Sequence, residues 1–307
     1  MWPDRVAALP GVLAHEPLSR HSQFGVGGPA DLFLKVDDVG VLPELVARCH
    51  QEGVPLTALG AGSNALILDG GIRGLAVKLS GRHLSLDGEV VSLDAGTTMP
   101  RAALDLARRG ASGMEWGIGV PGSCGASIWG NAGAFGGDVA GSLLECEVCA
   151  PDGTTRWVAA SDCGFAYRDS RFKHAPGTIV LRGRFAVRRG DPSAVRVATD
   201  AIQAQRKATQ PYGVRSLGST FKNPPGDFAG RLIEAAGLSG HRHGGAQISP
   251  KHANFILNVD SASAADVLAL AGLAHDEVAA RFAVELEREI VVVGVPVAES
   301  VAPGARS

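Results

Sequence analysis

The 307-residue sequence is poor in several features that would each announce a class. It has five cysteines, an odd number, which argues against a disulfide framework. Its formal net charge is -2, so no overall field draws nucleic acid, and any charge-driven binding is local. The longest apolar runs, such as EIVVVGVPVA at 289–298, stop short of the roughly 20 residues that a membrane-crossing helix needs. The opening stretch MWPDRVAALPGVLAHE carries acids and two prolines and lacks the apolar core of a targeting segment. A soluble cytoplasmic protein is expected. No G-x-x-x-x-G-K-[ST] occurs, which leaves a P-loop NTPase unsupported, and GVGGPAD at 25–31 lacks the spacing of a dinucleotide fingerprint. Cys146 and Cys149 do form a C-x-x-C, but on a strand residues three apart point to opposite faces, so they read as core-filling residues. His241 and His243 have no further His/Cys cluster to complete a ligand set, and no metal is expected.

Glycine, by contrast, is abundant at 41 residues, and it is unevenly spread. GAGSN at 60–64 follows the apolar segment VPLTALG and precedes a second apolar run. A turn of small residues in that place leaves backbone N–H groups free, and free N–H groups bind anions. Residues 110–141 read GASGMEWGIGVPGSCGASIWGNAGAFGGDVAG, too glycine-rich for helix or ordinary strand and too irregular for a flexible linker. Composition alone leaves two readings open: an ordered loop system whose backbone approaches a ligand closely, or a set of glycine-tolerant turns.

Around these segments the pattern predicts a strand at 31–36, a helix at 41–53 with Pro43 in its first turn and Gly53 as its stop, and a strand at 54–60. This is a βαβ unit ending at the 60–64 turn. Strands follow at 74–80 and in a hairpin over 84–96 that turns at Asp87 and Gly88. A short helix is predicted at 99–110, then strands at 142–151 and 178–187. RRGDPSAV at 188–195 marks a boundary, beyond which helices are predicted at 193–208 and 263–282. Between them lies a polar, loop-rich stretch, and from Arg206 to Lys251 the Lys/Arg at 206, 207, 215, 222, 231, 242 and 251 outnumber Asp227 and Glu234. In a nearly neutral chain this excess is a local basic patch suited to an anionic ligand.

Seven segments in order carry a resemblance: FGVGGPADLFLKV, GAGSNALI, GVPGSCGASIWGNAGAFGGDV, FAYRDSRFK, GSTFKNP, GGAQISPKHANFILN and LEREIVVVG. Together, over roughly residues 20–294, they resemble the UDP-N-acetylenolpyruvoylglucosamine reductase family. The resemblance implies an α+β protein with the FAD-binding fold of the vanillyl-alcohol-oxidase-like (PCMH-type) flavoproteins in two subdomains, plus a smaller α+β substrate-binding domain. It implies a first FAD-binding subdomain at 1–80, with a C-terminal strand at 284–307 returning to it, a second at 81–195, and a substrate-binding domain at 196–283. Non-covalent FAD would be held by Gly60, Ala61, Gly62, Ser63 and Asn64 at its pyrophosphate, and by Gly122, Ser123, Gly125, Ala126, Asn131, Ala132, Gly133 and Ala134 elsewhere.

The reaction so implied is reduction of UDP-N-acetylglucosamine enolpyruvate to UDP-N-acetylmuramate. NADPH reduces FAD, and N5 of the reduced flavin delivers hydride to the enolpyruvyl group. By the same matching Arg168 would polarise the substrate carboxylate, Ser219 would protonate carbon, and Glu289 would assist the enol. Tyr167, Lys207, Arg215, Asn223, Gln247 and His252 would contact the UDP-sugar. On a strand, Glu285, Glu287 and Glu289 share a face, so pattern alone does not choose among them. Phe135 stands where the family often has tyrosine, and the short span between Phe172 and Phe185 is similar to the subgroup without a tyrosine-bearing insertion. A monomer without nucleic-acid or membrane partners is expected, and the tail after Gly294 is expected to be partly disordered. A flavin oxidase of the same cofactor fold and a non-catalytic flavin or UDP-sugar binder are the alternatives.

Overall fold

A computed structural model of the protein describes residues 4–297. Of the tail expected to be partly disordered, residues 298–307 lie outside the described residues. Three sheets organise the chain. In the first, Pro29–Val36 and Leu56–Leu59 both run parallel to Ile72–Leu79, which lies between them, and Leu13–Pro17 covers the outer edge antiparallel. The helix Leu42–Gln51 makes the crossover; Pro43 sits in its first turn, where the missing N–H costs nothing, and Leu42, Leu45, Val46 and Cys49 form its buried stripe. The predicted βαβ unit is thus present, with a third strand inserted between its two strands.

The second sheet is antiparallel, ordered Thr155–Ala159, Leu143–Cys149, Ile179–Ala186, Val90–Asp94 and Leu84–Asp87. Its predicted hairpin pairs Asp87 with Val90, so the turn residues are Gly88 and Glu89, one position later than the sequence suggests; Gly88 takes φ +57°. Cys146 and Cys149 face opposite sides of their strand into different cores, as the alternation predicts. The Cys146 and Cys163 sulfurs approach to 3.8 Å, a contact between residues seventeen apart that local pattern does not reveal. Cys149, Ile179 and Leu181 pack with Leu42, Leu75 and Val77, which joins the first two sheets through one apolar layer.

The third sheet, Arg215–Ser219, Phe255–Asn258, Ala246–Ile248 and Arg242–His243, is antiparallel and backed by the helices Ala229–Ala235 and Ala264–Phe282. The longer helix starts with a capping box between Ser263 and Asp266. Phe24 and Leu66, from the first part of the chain, are buried in the same core as these elements. Beyond the helix the strand expected from 284 onward is not continuous over the described residues 284–297. The Glu287 carbonyl accepts the Lys222 N–H and Glu289 donates its N–H to the Thr220 carbonyl in the segment after Ser219, and only Val291–Val293 forms a ladder, parallel to Ala65–Ile67. Neighbours change along this stretch, so no single ladder continues.

On its other side the segment that follows Ser219 is held by one buried amide. Asn254 accepts the Phe221 N–H at 2.9 Å, donates to the Phe221 carbonyl at 2.8 Å, and gives its own carbonyl to the Thr220 N–H at 2.7 Å. Asn254→Leu leaves two buried backbone groups unpaired, and we expect a loss of about 2–4 kcal/mol in urea unfolding. A loss no larger than that of a surface substitution would show that Asn254 does not hold this segment.

Candidate active site

Residues 60–64 form the turn between Leu56–Leu59 and Ala65–Ile67. The carbonyls of Gly62 and Asn64 accept from Gln23 and Val291, but among the described residues no backbone N–H from 60 to 64 donates to another group of the protein. The turn lies against the start of the helix Cys124–Gly130. A Cβ on Gly60 would stand 2.4 Å from the Ser123 hydroxyl and 3.1 Å from Ala126, so only glycine permits the approach. A Cβ on Gly122 would face the Ser127 and Ser63 hydroxyls at 3.5 and 3.6 Å. The structure therefore brings together the two segments expected to bind cofactor.

Three further observations bear on that expectation. The Ser123 and Ser127 hydroxyls are buried and have no hydrogen-bond partner among the described residues, which is costly unless a ligand supplies one. Lys78, whose register partner Leu59 immediately precedes the turn, donates to the His21 carbonyl at 2.8 Å. Burial pushes its ammonium down to about 8, and among the described residues no carboxylate pairs with it. Unpaired amides, unpaired hydroxyls and an uncompensated ammonium make a donor set for a diphosphate. Composition gave no signal for Lys78, because its burial and its nearness to the turn are properties of the sheet.

Asn131 to Ala134 continue this surface. Asn131 ends the helix in the left-handed region, donates to the Ala166 carbonyl at 2.8 Å and accepts the Ala140 N–H at 3.0 Å. Gly133 and Ala134 pair with Gly137 and Asp138, and the turn residues Phe135 and Gly136 both take positive φ, +51° and +84°. The Gly133 carbonyl accepts from Arg168 Nη2 at 3.0 Å.

Arg168 and Glu289 meet. Arg168 Nε donates to Glu289 Oε1 at 2.7 Å, and both side chains are largely withdrawn from solvent. Burial raises the Glu289 carboxyl above its ordinary range, against the opposing pull of Arg168, Lys173 and Lys222. Its backbone links two more parts of the site: the Glu289 carbonyl accepts from the Asn64 side chain at 3.1 Å, and its N–H donates to the Thr220 carbonyl at 2.8 Å. The other two glutamates of the pattern go elsewhere, Glu287 to Lys222 at 2.6 Å and Glu285 to His275 at 2.8 Å. Geometry thus separates three residues that share one face in an ideal strand.

Ser219 ends its strand opposite Phe255, one residue before the Thr220 that binds Glu289. Among the described residues its hydroxyl has no hydrogen-bond partner. Tyr167 and Asn223 join this cluster: the Tyr167 hydroxyl accepts the Asn223 N–H at 3.5 Å, and the Arg168 guanidinium lies 5.2 Å over the Tyr167 ring. Lys207 places its ammonium 5.0 Å over Tyr212, and its carbonyl accepts from Lys251 at 2.6 Å. A cavity of about 150 Å³ beside Tyr212 is also lined by Gln23, Pro121, Arg206 and Gly218, so Pro121, next to Gly122, faces the strand leading to Ser219 across it.

The remaining expected contacts are not drawn into the Arg168 cluster. Gln247 spends its amide on the Gly240 carbonyl at 3.0 Å. His252 packs on Gly230 and Phe255 and accepts the Asn254 N–H, and burial holds its ring below the ordinary range. Arg215 sits at the far end of the strand from Ser219, over Gly25, and lines an open cavity of about 390 Å³ with Asn258 and Ser261.

Comparison with known proteins adds the following. The family described as FAD binding domain matches residues 30–159, and the family described as UDP-N-acetylenolpyruvoylglucosamine reductase, C-terminal domain, matches residues 210–293. The chain is 42% identical over 281 residues to UDP-N-acetylenolpyruvoylglucosamine reductase 2 of Symbiobacterium thermophilum, covering 91% of each chain. It is 43% identical over 289 residues to the reductase of Chloroflexus aggregans, covering 91% of this chain and 96% of that one. The crystal structure of UDP-N-acetylenolpyruvylglucosamine reductase from Thermus caldophilus superposes with a TM-score of 0.78 at 36% identity, over 90% of this chain and 97% of that chain.

Lys78 makes the site testable without substrate. Its folded-state value lies below that of the unfolded chain, so between about pH 8 and 10.5 the unfolded state binds more protons and stability rises with pH. In flavin-free protein, Lys78→Met should remove that rise and stabilise the fold at pH 7.5 by about 2–3 kcal/mol. Urea unfolding at pH 7.5 and 9.5 checks this; parallel pH dependence in variant and wild type would show the ammonium is not desolvated.

Proposed function

The chain belongs to the UDP-N-acetylenolpyruvoylglucosamine reductase family, and we propose that Arg168, Ser219 and Glu289 carry its reaction. It is an FAD-dependent oxidoreductase, with NADPH as reductant, that reduces UDP-N-acetylglucosamine enolpyruvate to UDP-N-acetylmuramate, a step of peptidoglycan precursor synthesis. The observation that carries the assignment is the position of Glu289, whose side chain binds Arg168 while its backbone binds the cofactor turn at Asn64 and the segment after Ser219.

When bound, FAD supplies the hydride that it has taken from NADPH. The chain's own residues do the rest. The amides of 60–64, the Ser123 and Ser127 hydroxyls and the Lys78 ammonium hold the cofactor, with 122–126 and 131–134 as further wall. Arg168 binds and polarises the substrate carboxylate; among the described residues no protein group takes its Nη1, which is left for that purpose. A guanidinium suits the task because its donors lie in a fixed plane and its charge is permanent. Glu289, raised by burial, exchanges a proton nearer neutrality than an exposed carboxyl and relays it at the enol. Ser219 donates to carbon, one residue from the Thr220 whose carbonyl holds the Glu289 N–H; Arg168, Lys173 and Lys222 are the cations acting on Glu289. Tyr167, Lys207 and Asn223 receive the UDP-sugar, with Gln247, His252 and Arg215 as outlying members of the same domain. We place the FAD-binding subdomains at 1–80 and 81–195 and the substrate domain at 196–283, with the chain after 284 returning to the first.

Among the described residues no helix is long and apolar enough to cross a membrane. Soluble nucleotide substrates suit a cytoplasmic monomer, and a single sedimenting species near 31.5 kDa would support one, whereas a dimer mass would remove it. The decisive measurement is the visible spectrum of the purified protein. Flavin absorbance that bleaches under anaerobic NADPH and returns with the enolpyruvyl substrate establishes the reductase; absorbance that stays bleached favours the oxidase or binding-protein reading. In the same assay Ser219→Ala should bleach normally and recover about 10²–10⁴-fold more slowly. Equal losses in both half-reactions would take the acid role from Ser219.

A further inference from the structure

Arg168 occupies a backbone conformation that a residue with a side chain avoids. Its φ is +56°, in the left-handed region, and the flanking Ala166 and Asp169 exchange backbone hydrogen bonds at 3.1 Å, which leaves Tyr167 and Arg168 at the tip of a two-residue turn. Such a turn persists when its surroundings over-determine it. Two side chains reach it from outside: Asn131 at the Ala166 carbonyl and Lys173 at the Arg168 carbonyl, the latter beside the strained residue itself. The Lys173 ammonium donates to the Arg168 carbonyl at 2.5 Å and lies 5.0 Å over the Trp129 ring. It comes from the short helical turn Arg171–His174, anchored by buried Phe172. Ser170 pins that turn, accepting the Phe172 N–H at 3.2 Å and donating to the Trp129 carbonyl at 2.6 Å.

Lys173 is half-buried, and among the described residues it makes no ion pair at contact distance; its ammonium touches one carbonyl and one ring face, while its charge also acts on Glu289 from further off. A lysine withdrawn from water for a surface role would gain more from a carboxylate. We propose that Lys173 is a positioning residue for Arg168: it holds the left-handed turn from which the guanidinium reaches Glu289 and the Gly133 carbonyl. Without it the turn relaxes, and the guanidinium no longer presents a fixed plane to the substrate carboxylate.

The proposal rests on the reading that Arg168 binds that carboxylate, so two measurements on the FAD-loaded full chain separate the two ideas. The first is hydrogen exchange at the Asp169 amide without nucleotide. It should be at least tenfold faster in Lys173→Met and return toward wild type in Lys173→Arg, which keeps a donor. The second is the affinity for UDP-N-acetylmuramate compared with UDP-N-acetylglucosamine, which lacks the carboxylate. Lys173→Met should weaken the first at least tenfold and leave the second within twofold, again with recovery in Lys173→Arg. Unchanged exchange overturns the proposal, and so does equal weakening of both ligands, the signature of general damage. If Lys173→Met does not fold, exchange and affinity in Lys173→Arg decide it, and values far from wild type overturn it. Wild-type protein that binds both nucleotides equally would overturn the Arg168 reading alone, leaving the exchange result to judge Lys173.

Discussion

The ion pair between Arg168 and Glu289 sets the arrangement of the site. Withdrawing two charges from water costs several kcal/mol per ion, which mutual attraction repays only with good geometry and further hydrogen bonds. Arg168 has both, through Glu289 Oε1 and the Gly133 carbonyl. Glu289 is less well compensated, because burial still outweighs the three cations around it. The pair is therefore poised. On the reading proposed above, a substrate carboxylate would take the free Nη1 of Arg168 beside Glu289, with the ion pair left in place.

Around that pair the chain solves a second problem, the close approach of two loops. Residues 60–64 and the start of the helix Cys124–Gly130 touch where a single Cβ on Gly60 would collide with Ser123. Gly62 takes φ +70° with its would-be Cβ 2.8 Å from the His21 carbonyl. Glycine here serves proximity as well as turning. The result is a surface of amides and hydroxyls left without protein partners, which a compact domain tolerates only where something else satisfies them.

How much of this was legible in the sequence depended on distance along the chain. The strand 29–36, the helix Leu42–Gln51 and the helix Met99–Arg108 follow from period, proline and glycine, all local signals, and they appear within a few residues of their predicted bounds. The family resemblance reached further, because ordered motifs carry information that periodicity lacks. What stayed hidden was contact between distant residues. The glutamates at 285, 287 and 289 looked equivalent because alternation is a property of one strand, whereas their partners His275, Lys222 and Arg168 come from three places. Lys78 and Lys173 gave no signal for a related reason: a lysine's burial is decided by what folds over it. Arg215 and Gly218, near opposite ends of one strand, line different cavities, which the strand's own pattern does not foretell.

The short parallel ladder between Val291–Val293 and Ala65–Ile67 joins residues more than two hundred positions apart. The same closing stretch brings the Val291 N–H to Asn64 and the Glu289 backbone to Thr220. A nascent chain leaving the ribosome thus carries its glycine turn through most of translation before the strand that braces it exists. Bracing of the glycine turn therefore waits until residues 291–293 have been made, however early the elements that bear the turn fold.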